Sequence, residues 1–199
     1  MAFPRLVRLN EPPSEALALL GDDELMTLSK GGLRSAFATL VERHAERVVS
    51  LCARFVNDAP LGRELAQDAW VLVWQGREKY MAEGAFLGWL VTVARNHCRN
   101  ELRRRKSARQ RESEPLHDEV AVTAGQLDRL LVLERQRRVR EALSEISAPL
   151  REALLLRYGE DLRYDEITGV VGAPESTLRS RVHYGLKALK HKLERTHEQ

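Results

Sequence analysis

Apolar residues repeat at intervals of three and four along most of this chain, and this spacing restricts the chain to packed helices. The clearest stretch lies between residues 37 and 55, where the repeating residues include Phe37, Leu40, Val41, Val48, Leu51, Cys52 and Phe55. Such spacing places one apolar stripe along a helix of about 20 residues. Because the alternation typical of strands is absent, the sequence predicts an all-α fold.

The periodic residues form two blocks, and a stretch without periodicity separates them. This stretch contains Pro115 and Gly125 and carries charges of both signs, which is typical of a linker. We therefore predict two small helical domains joined by a flexible linker. The predicted parts are an N-terminal extension (1–21), a first domain (22–106), the linker (107–126) and a second domain (127–199).

The first block predicts three main helices. After the helix described above, Asn57 to Pro60 form a break and a second helix follows over 61–79. The third helix begins near Phe86 and places Trp89 in the core. The residues of the second helix that are predicted to face inward are Leu65, Ala69, Leu72 and Val73.

Composition excludes several classes of protein. The hydrophobic content of 43% is sufficient for a core, which argues against wholesale disorder. No apolar run approaches the ~20 residues of a membrane span, and Pro12, Pro13 and Glu15 interrupt any signal sequence, so we expect a cytoplasmic protein without membrane insertion. Cys52 and Cys98 are far apart, so we predict no disulfide framework, metal site or cofactor.

Charge distribution is more informative than the formal net charge of +3. Residues 103–111 contain six basic side chains and no acidic one, and residues 179–195 contain six basic side chains against Glu194 alone. Basic stripes on helices can bind phosphates, although an isolated charge run more often forms a solvated face.

The end of the chain has the pattern of a helix-turn-helix. Residues 165–169 predict a short helix, Gly172 a turn, and residues 175–190 a longer helix. This longer helix is predicted to bury Leu178, Val182, Leu186 and Leu189 and to expose Ser176, Thr177, Arg179, Ser180, His183 and Tyr184. The exposed groups are of the kinds that bond phosphates and base edges. Helical hairpins that bind no DNA share this spacing, so the segment alone leaves DNA binding open.

The third helix of the first block is a second candidate for nucleic-acid binding. Its basic and amide side chains, from Arg95 to Arg105, follow an aromatic-rich entry that contains Tyr80, Phe86 and Trp89. Basic groups beside aromatic rings suit single-stranded or melting DNA. The alternative is that the aromatic residues are core and the arginines are a solvated tail.

Taken together, the two blocks resemble the extracytoplasmic-function (ECF) sigma factors of bacterial RNA polymerase. The runs GRELAQDAWVLVW (62–74) and GAFLGWLVTVARNHCRNELRRR (84–105) resemble region 2 of that family, and residues 146–189 resemble region 4. The resemblance covers roughly residues 22–192. It implies a promoter-specificity subunit without catalytic activity, with core polymerase, promoter DNA and an anti-sigma factor as partners.

The resemblance also implies roles for individual residues. Those implied to contact the clamp of the largest polymerase subunit are Glu64, Gln67 and Asp68. Those implied to bind melted −10 DNA are Tyr80, Glu83, Arg95, Asn96, Arg99, Asn100 and Arg103. Those implied to read the −35 element as duplex DNA are Ser176, Thr177, Arg179, Ser180, Arg181, His183 and Tyr184.

Two other functions are compatible with parts of the pattern. A transcriptional regulator that never joins the polymerase would use the same helix-turn-helix without needing the segment 64–68. A nuclease would use Asp161, Asp165 and Glu166, but these acids are better explained as helix caps and surface charges. We therefore predict that the protein is not an enzyme.

Overall fold

The computed structural model describes residues 14–82, 86–109 and 137–195. These residues form helices and turns, and no strand occurs among them. The prediction of an all-α fold with two helical domains is confirmed. The segment 110–136, which includes most of the predicted linker and the predicted start of the second domain, lies outside the described residues.

The N-terminal domain is a bundle built around one long central helix. Its elements are α1 (Ser14–Ala18), α2 (Asp22–Lys30), α3 (Arg34–Val56), α4 (Ala59–Gly76), a 3₁₀ turn (Arg77–Lys79) and α5 (Phe86–Arg109). The helix α5 continues to Arg109, so the first three residues of the predicted linker are helical.

The tight connection between α3 and α4 follows from three consecutive sequence signals. Asn57 ends α3 in the left-handed conformation, with φ of 54°, which asparagine tolerates better than most residues. Asp58 then caps α4, since its Oδ1 accepts a hydrogen bond from the backbone N–H of Leu61 at 2.9 Å. Pro60 lies in the first turn, where a missing N–H costs nothing.

Packing between α3 and α4 requires glycine at position 62. A Cβ at this position would lie 2.4 Å from the Cα of Ala53 and 2.5 Å from its backbone nitrogen. The two backbones therefore approach each other more closely than any side chain allows. The buried face of α4 is centred on Ala66, Ala69 and Val73. The expectation that Leu72 faces inward is wrong: it lies at the margin of the stripe and is 39% exposed.

The predicted N-terminal extension contains a packed element. Leu17 on α1 is buried, with 1% exposure. Arg43 of α3 donates hydrogen bonds to the carbonyls of Ala18, at 2.6 Å, and Leu20, at 2.8 Å. At least residues 14–20 therefore belong to the N-terminal domain, because a side chain of α3 satisfies their backbone acceptors.

The C-terminal domain contains the predicted helix-turn-helix. It comprises α6 (137–145), α7 (Ala148–Leu154), a π-helical turn (Leu155–Gly159), α8 (Tyr164–Val171) and α9 (Glu175–Arg195). Gly172, with φ of 71°, ends α8 in the left-handed conformation that glycine adopts without strain. Glu166 accepts a hydrogen bond from the backbone N–H of Arg163 and so caps α8, which agrees with its interpretation as a capping residue.

One detail of α9 differs from the prediction. The inward position after Leu178 and Val182 is Gly185, which is buried, whereas Leu186 is 43% exposed. A Cβ on Gly185 would lie 3.0 Å from Cγ of Leu154 and 3.3 Å from the carbonyl of Leu150. Glycine therefore lets α9 approach α7 closely, and the predicted place of Leu186 in the core is wrong.

The two domains pack against each other. The turn Leu155–Gly159 lies against α3, and α8 lies against α5. The buried residues that join the core cluster of the N-terminal domain from the other domain are Leu155, Leu156, Leu162, Ile167, Val170 and Leu178. Among the described residues, no helix combines the length and the apolar character needed to cross a membrane.

Candidate nucleic-acid and polymerase interfaces

The polar residues of α4 that the sequence singles out share one exposed face. Glu64, Gln67 and Asp68 are all exposed, and the helical period puts them on the side opposite the buried stripe. Val71, which is 53% exposed, lies on the same face, and Leu72 borders it. The surface therefore combines two carboxylates with an exposed apolar patch. Sequence periodicity did not predict this patch, because it assigned Leu72 to the core.

The polar residues of α5 are divided between two faces of the helix. Asn96, Asn100 and Arg103 are exposed and follow a spacing of four and three, so they form one continuous stripe. Arg99 is half-buried. Arg95 is 3% exposed, because α8 and α7 of the other domain cover it. In this arrangement the exposed stripe can meet a nucleic acid and Arg95 cannot.

The aromatic residues near the start of α5 pack against one another instead of being fully exposed to solvent. Tyr80 is 3% exposed, and its hydroxyl donates a hydrogen bond to Asp23 on α2. Its ring lies 5.1 Å from that of Trp89 and 5.9 Å from that of Phe86. Lys30 donates to the Tyr80 carbonyl at 2.7 Å. Tyr80 is therefore part of the core, while Glu83 lies outside the described residues.

A single glutamate partly neutralises the basic end of α5. Glu101 accepts two hydrogen bonds from Arg104, both at 2.7 Å, and one from Arg105 at 2.8 Å. These hydrogen bonds lower the pKa of Glu101 to about 2. Glu101 therefore offsets one of the two positive charges of Arg104 and Arg105, while Arg103 and Lys106 have exposed side chains.

The helix α9 presents its predicted polar face to solvent. Its opposite side is anchored through Leu178 and Val182. The exposed residues of the predicted set are Ser176, Arg179, Ser180, His183 and Tyr184, and the half-buried ones are Thr177 and Arg181. All seven predicted residues thus lie together on the second helix of a helix-turn-helix, which is the helix that enters the major groove in proteins of this architecture.

Tyr164 packs against Arg179 of this face, and the sequence analysis did not identify Tyr164. The guanidinium carbon of Arg179 lies 4.3 Å from the centre of the Tyr164 ring, which is a cation–π contact. Arg179 also donates to Glu175 at 2.8 Å. Because Tyr164 lies on α8 and Arg179 on α9, helical periodicity within one element could not reveal the pair.

The buried cysteines form no reactive or metal-binding site. Cys52 and Cys98 are both free and buried, with 0% exposure. A hydrogen bond with Cys52, together with burial, raises the pKa of the Cys98 thiol. The Cys98 thiol therefore stays protonated in the apolar core. Within the ranges that the structure describes, no three His, Cys, Asp or Glu side chains are placed to hold a metal ion.

The two domains correspond to two known family models. Sigma-70 region 2 matches residues 40–108, and Sigma-70, region 4 matches residues 136–189. The chain is 31% identical over 163 residues to the ECF RNA polymerase sigma factor SigK of Mycobacterium sp. (strain KMS), covering 78% of this chain and 81% of that protein. This chain is an ECF sigma factor. It belongs to a family of promoter-specificity subunits and is not an enzyme.

A second relative agrees with this assignment, and two solved structures have a similar fold. The RNA polymerase sigma-H factor of Pseudomonas aeruginosa is 27% identical over 177 residues, covering 84% of this chain and 91% of that protein. The fold is similar to that of the sigma factor RpoE from Bartonella quintana, solved with the anti-sigma factor NepR. The TM-score is 0.68 and the identity 21%, over 79% of this chain and 96% of that one. It is also similar to CnrH, solved with the cytosolic domain of CnrY, with a TM-score of 0.66 and 21% identity over 87% of this chain and 97% of that one.

Proposed function

We propose that this sigma factor binds core RNA polymerase through α4, reads the −35 element with α9 and binds melted −10 DNA with the exposed stripe of α5. The observation that carries the proposal is the placement of seven DNA-compatible side chains on one helix of a helix-turn-helix, in the same chain as a separate basic helix. A regulator that acts alone needs only the first of these features.

The polymerase-binding surface would be the exposed face of α4. Glu64 and Asp68 supply negative charge, and Val71 supplies apolar area that no described element covers. A patch of this composition suits a basic partner surface with apolar side chains between its charges. Its partner would be the clamp of the largest polymerase subunit.

The −35 surface would use α9 in the major groove. Arg179, stacked on Tyr164, is oriented before binding and so loses less side-chain entropy when it contacts a base. An arginine that meets guanine O6 and N7 supplies about 1–3 kcal/mol of discrimination. Ser176 and Ser180, one helical turn apart, would contact phosphates or base edges beside it.

The −10 surface would use Asn96, Asn100 and Arg103. Their spacing along α5 follows one line on the helix surface, which suits a strand that runs along the helix. The amide groups can pair with exposed base edges, and Arg103 can neutralise the backbone. Arg99, which is half-buried, would extend this surface, and Arg95 would join it once the C-terminal domain moves away.

Regulation would be exerted by an anti-sigma factor, and the protein would act in the cytoplasm, where its polymerase partner is. One similar structure was solved with the anti-sigma factor NepR, and another, CnrH, was solved with the cytosolic domain of CnrY. A regulator of this kind would bind the same exposed faces of α4 and α9 and exclude polymerase from them.

Run-off transcription with sigma-free core polymerase tests the proposal. Genomic fragments, including the DNA upstream of the chain's own gene, serve as templates. We expect specific transcripts that Arg179→Ala abolishes. The matched control is Arg137→Ala, which removes an exposed arginine from α6 of the same domain, where it pairs with Glu141 at 2.7 Å. DNA binding without any association with core polymerase would contradict the proposal and favour a regulator that acts alone.

A further inference from the structure

The exposed face of α9 changes its chemistry along the helix. Its first turns present the hydrogen-bonding groups of Ser176, Arg179 and Ser180, and the next turn presents two rings, those of His183 and Tyr184. Tyr184 is 59% exposed. The buried side chains that anchor α9 lie on a different face of the helix, so the packing of the domain does not account for the two rings.

The two rings hold each other in place. Their centroids are 5.4 Å apart and their planes make an angle of 75°, which is an edge-to-face arrangement that aromatic pairs favour. Because the contact restricts the rotation of both side chains, the rings lose less conformational entropy on binding than two free rings would lose. His183 and Tyr184 therefore form one preformed surface, the ring pair.

The helical period places the ring pair beside the polar groups that are proposed to read the −35 element. Successive residues of an α-helix lie about 100° apart around its axis. Ser180 and His183 therefore lie near the middle of the exposed face, and Arg179 and Tyr184 flank them on opposite sides. Tyr184 follows Ser180 by about 6 Å along the axis, a distance of about two base pairs. A helix in the major groove thus brings Arg179 and the ring pair to neighbouring base pairs.

The ring of Tyr184 has one apolar partner in the major groove. Guanine, adenine and cytosine present hydrogen-bonding groups there, whereas thymine adds its C5 methyl group. A tyrosine cannot form the two parallel hydrogen bonds with which an arginine selects guanine. Contact with the ring removes a thymine methyl group from water, which is favourable, but it also removes water from the polar edges of the other bases, which is not. Tyr184 therefore discriminates in favour of thymine.

The surroundings of Tyr184 favour DNA over a protein surface as its partner. The surface proposed to bind polymerase lies on α4 of the other domain, whereas Tyr184 shares α9 with Arg179. Lys187, which follows the ring pair on the same face, adds an exposed positive charge. Rings flanked by basic side chains suit the negatively charged groove of a duplex.

We propose that the ring pair makes this sigma factor prefer a thymine in its −35 element. Tyr184 packs on the C5 methyl group of a thymine that lies within about two base pairs of the guanine contacted by Arg179. His183 holds the Tyr184 ring in the orientation that this contact needs. The proposal rests on the proposed function, since it requires α9 to lie in the major groove of the −35 element, and it adds the base and the chemical group that one side chain recognises.

Selection from a DNA library identifies the preferred element. The full-length chain, assembled with core polymerase, is bound to duplexes that are randomised over the −35 region of a template from the run-off assay. We expect enrichment of a guanine and, within about two base pairs of it on either strand, of a thymine. Arg179→Ala should remove the preference for guanine, and Tyr184→Ala should remove the preference for thymine.

Replacing that thymine with deoxyuridine tests the methyl contact directly, because the replacement removes the methyl group and keeps the base pair. It should weaken binding of the parent holoenzyme about fourfold, which is the effect of burying one methyl group. Tyr184→Phe keeps the ring and should respond as the parent does. Tyr184→Ala should bind the thymine duplex more weakly and should not respond to deoxyuridine. His183→Ala should respond less than the parent, because the Tyr184 ring is then free to rotate.

Tyr158→Ala is the matched control, because it removes a tyrosine of similar exposure, 62%, from the turn Leu155–Gly159 of the same domain. It should keep the response of the parent to deoxyuridine. A parent holoenzyme that does not distinguish thymine from deoxyuridine, or a Tyr184→Ala variant that keeps the full response, would overturn the proposal. An unchanged response in His183→Ala would overturn the role of His183.

Two further outcomes separate this proposal from others. If Tyr184→Ala loses association with core polymerase and keeps its preference for thymine, the ring serves a protein contact and the proposal is wrong. If the parent holoenzyme enriches no sequence over the −35 region, the result counts against the proposed function itself.

Discussion

Replacing Gly62 with alanine tests whether this glycine, which lies in the segment proposed to face polymerase, serves helix packing. Its Cβ would lie 2.4 Å from the Cα of Ala53, whereas carbon atoms pack at about 3.5–4.0 Å. The helices α3 and α4 must therefore separate by roughly 1 Å at their closest point. Because backbone and not a flexible side chain is in the way, the strain cannot be relieved locally.

The expected net effect is a loss of stability. Overpacking of this kind costs about 1–3 kcal/mol, and the higher helix propensity of alanine returns up to about 1 kcal/mol. We expect the N-terminal domain to lose about 1–2 kcal/mol, which lowers its melting temperature by about 5–15 °C for a domain of this size. All three tryptophans lie in this domain, so their fluorescence during heating reports its unfolding selectively.

Gly88→Ala is the matched control, because a Cβ at this position on α5 would meet no atom within 4 Å. This substitution should stabilise the same domain by up to about 1 kcal/mol through helix propensity alone. The reasoning is refuted if Gly62→Ala melts at or above the temperature of the parent chain. A normal melting temperature would contradict the packing role of Gly62 whether or not polymerase binding is lost.

Three further predictions concern the interfaces. Tyr164→Leu should weaken duplex promoter binding about threefold to tenfold by removing the ring beneath Arg179. Tyr164→Phe keeps an aromatic ring and should retain most of the affinity. Equal affinities of the parent chain and both variants in a gel-shift titration would refute this prediction. The pKa of Glu101 lies at about 2, below its ordinary value of 4.5, so its stabilising effect is complete above pH 4.5 and is lost as the pH falls toward 2. Glu101→Gln should therefore flatten that part of the stability–pH curve, and an unchanged curve would contradict the pairing with Arg104. Arg103→Ala should reduce the slope of log affinity against log salt by about 0.7 for single-stranded DNA, and an unchanged slope would exclude a phosphate contact.

Helix type and order could be predicted from the sequence because local physics determines them. The 3-4 spacing of apolar residues defines α3, and the run from Asn57 to Pro60 contains a left-handed stop, a cap and a first-turn proline. The separation of polar and apolar faces on α9 follows the same rule. The resemblance to sigma factors likewise depended on short runs whose residues are adjacent in sequence.

Contacts between distant elements could not be predicted in this way. Arg95 and Glu152 are 57 residues apart, and Arg47 and Glu160 are 113 residues apart, so no periodicity relates them. Periodicity placed Leu186 in the core because leucine is apolar, but the close approach of α7 and α9 at Gly185 decides which residue is buried. Such choices depend on the distance between helices, which emerges only from the packing of the whole domain.

Site-specific cross-linking in the assembled polymerase is the most direct test of the central claim that α5 and α9 bind different promoter elements. A photoreactive amino acid is introduced at Asn100 in one variant and at Ser180 in another, since both positions are exposed. The account predicts that position 100 cross-links to the non-template strand of the −10 element and position 180 to the −35 element, in the same open complex. Cross-links from both positions to one element, or from α9 alone, would contradict it.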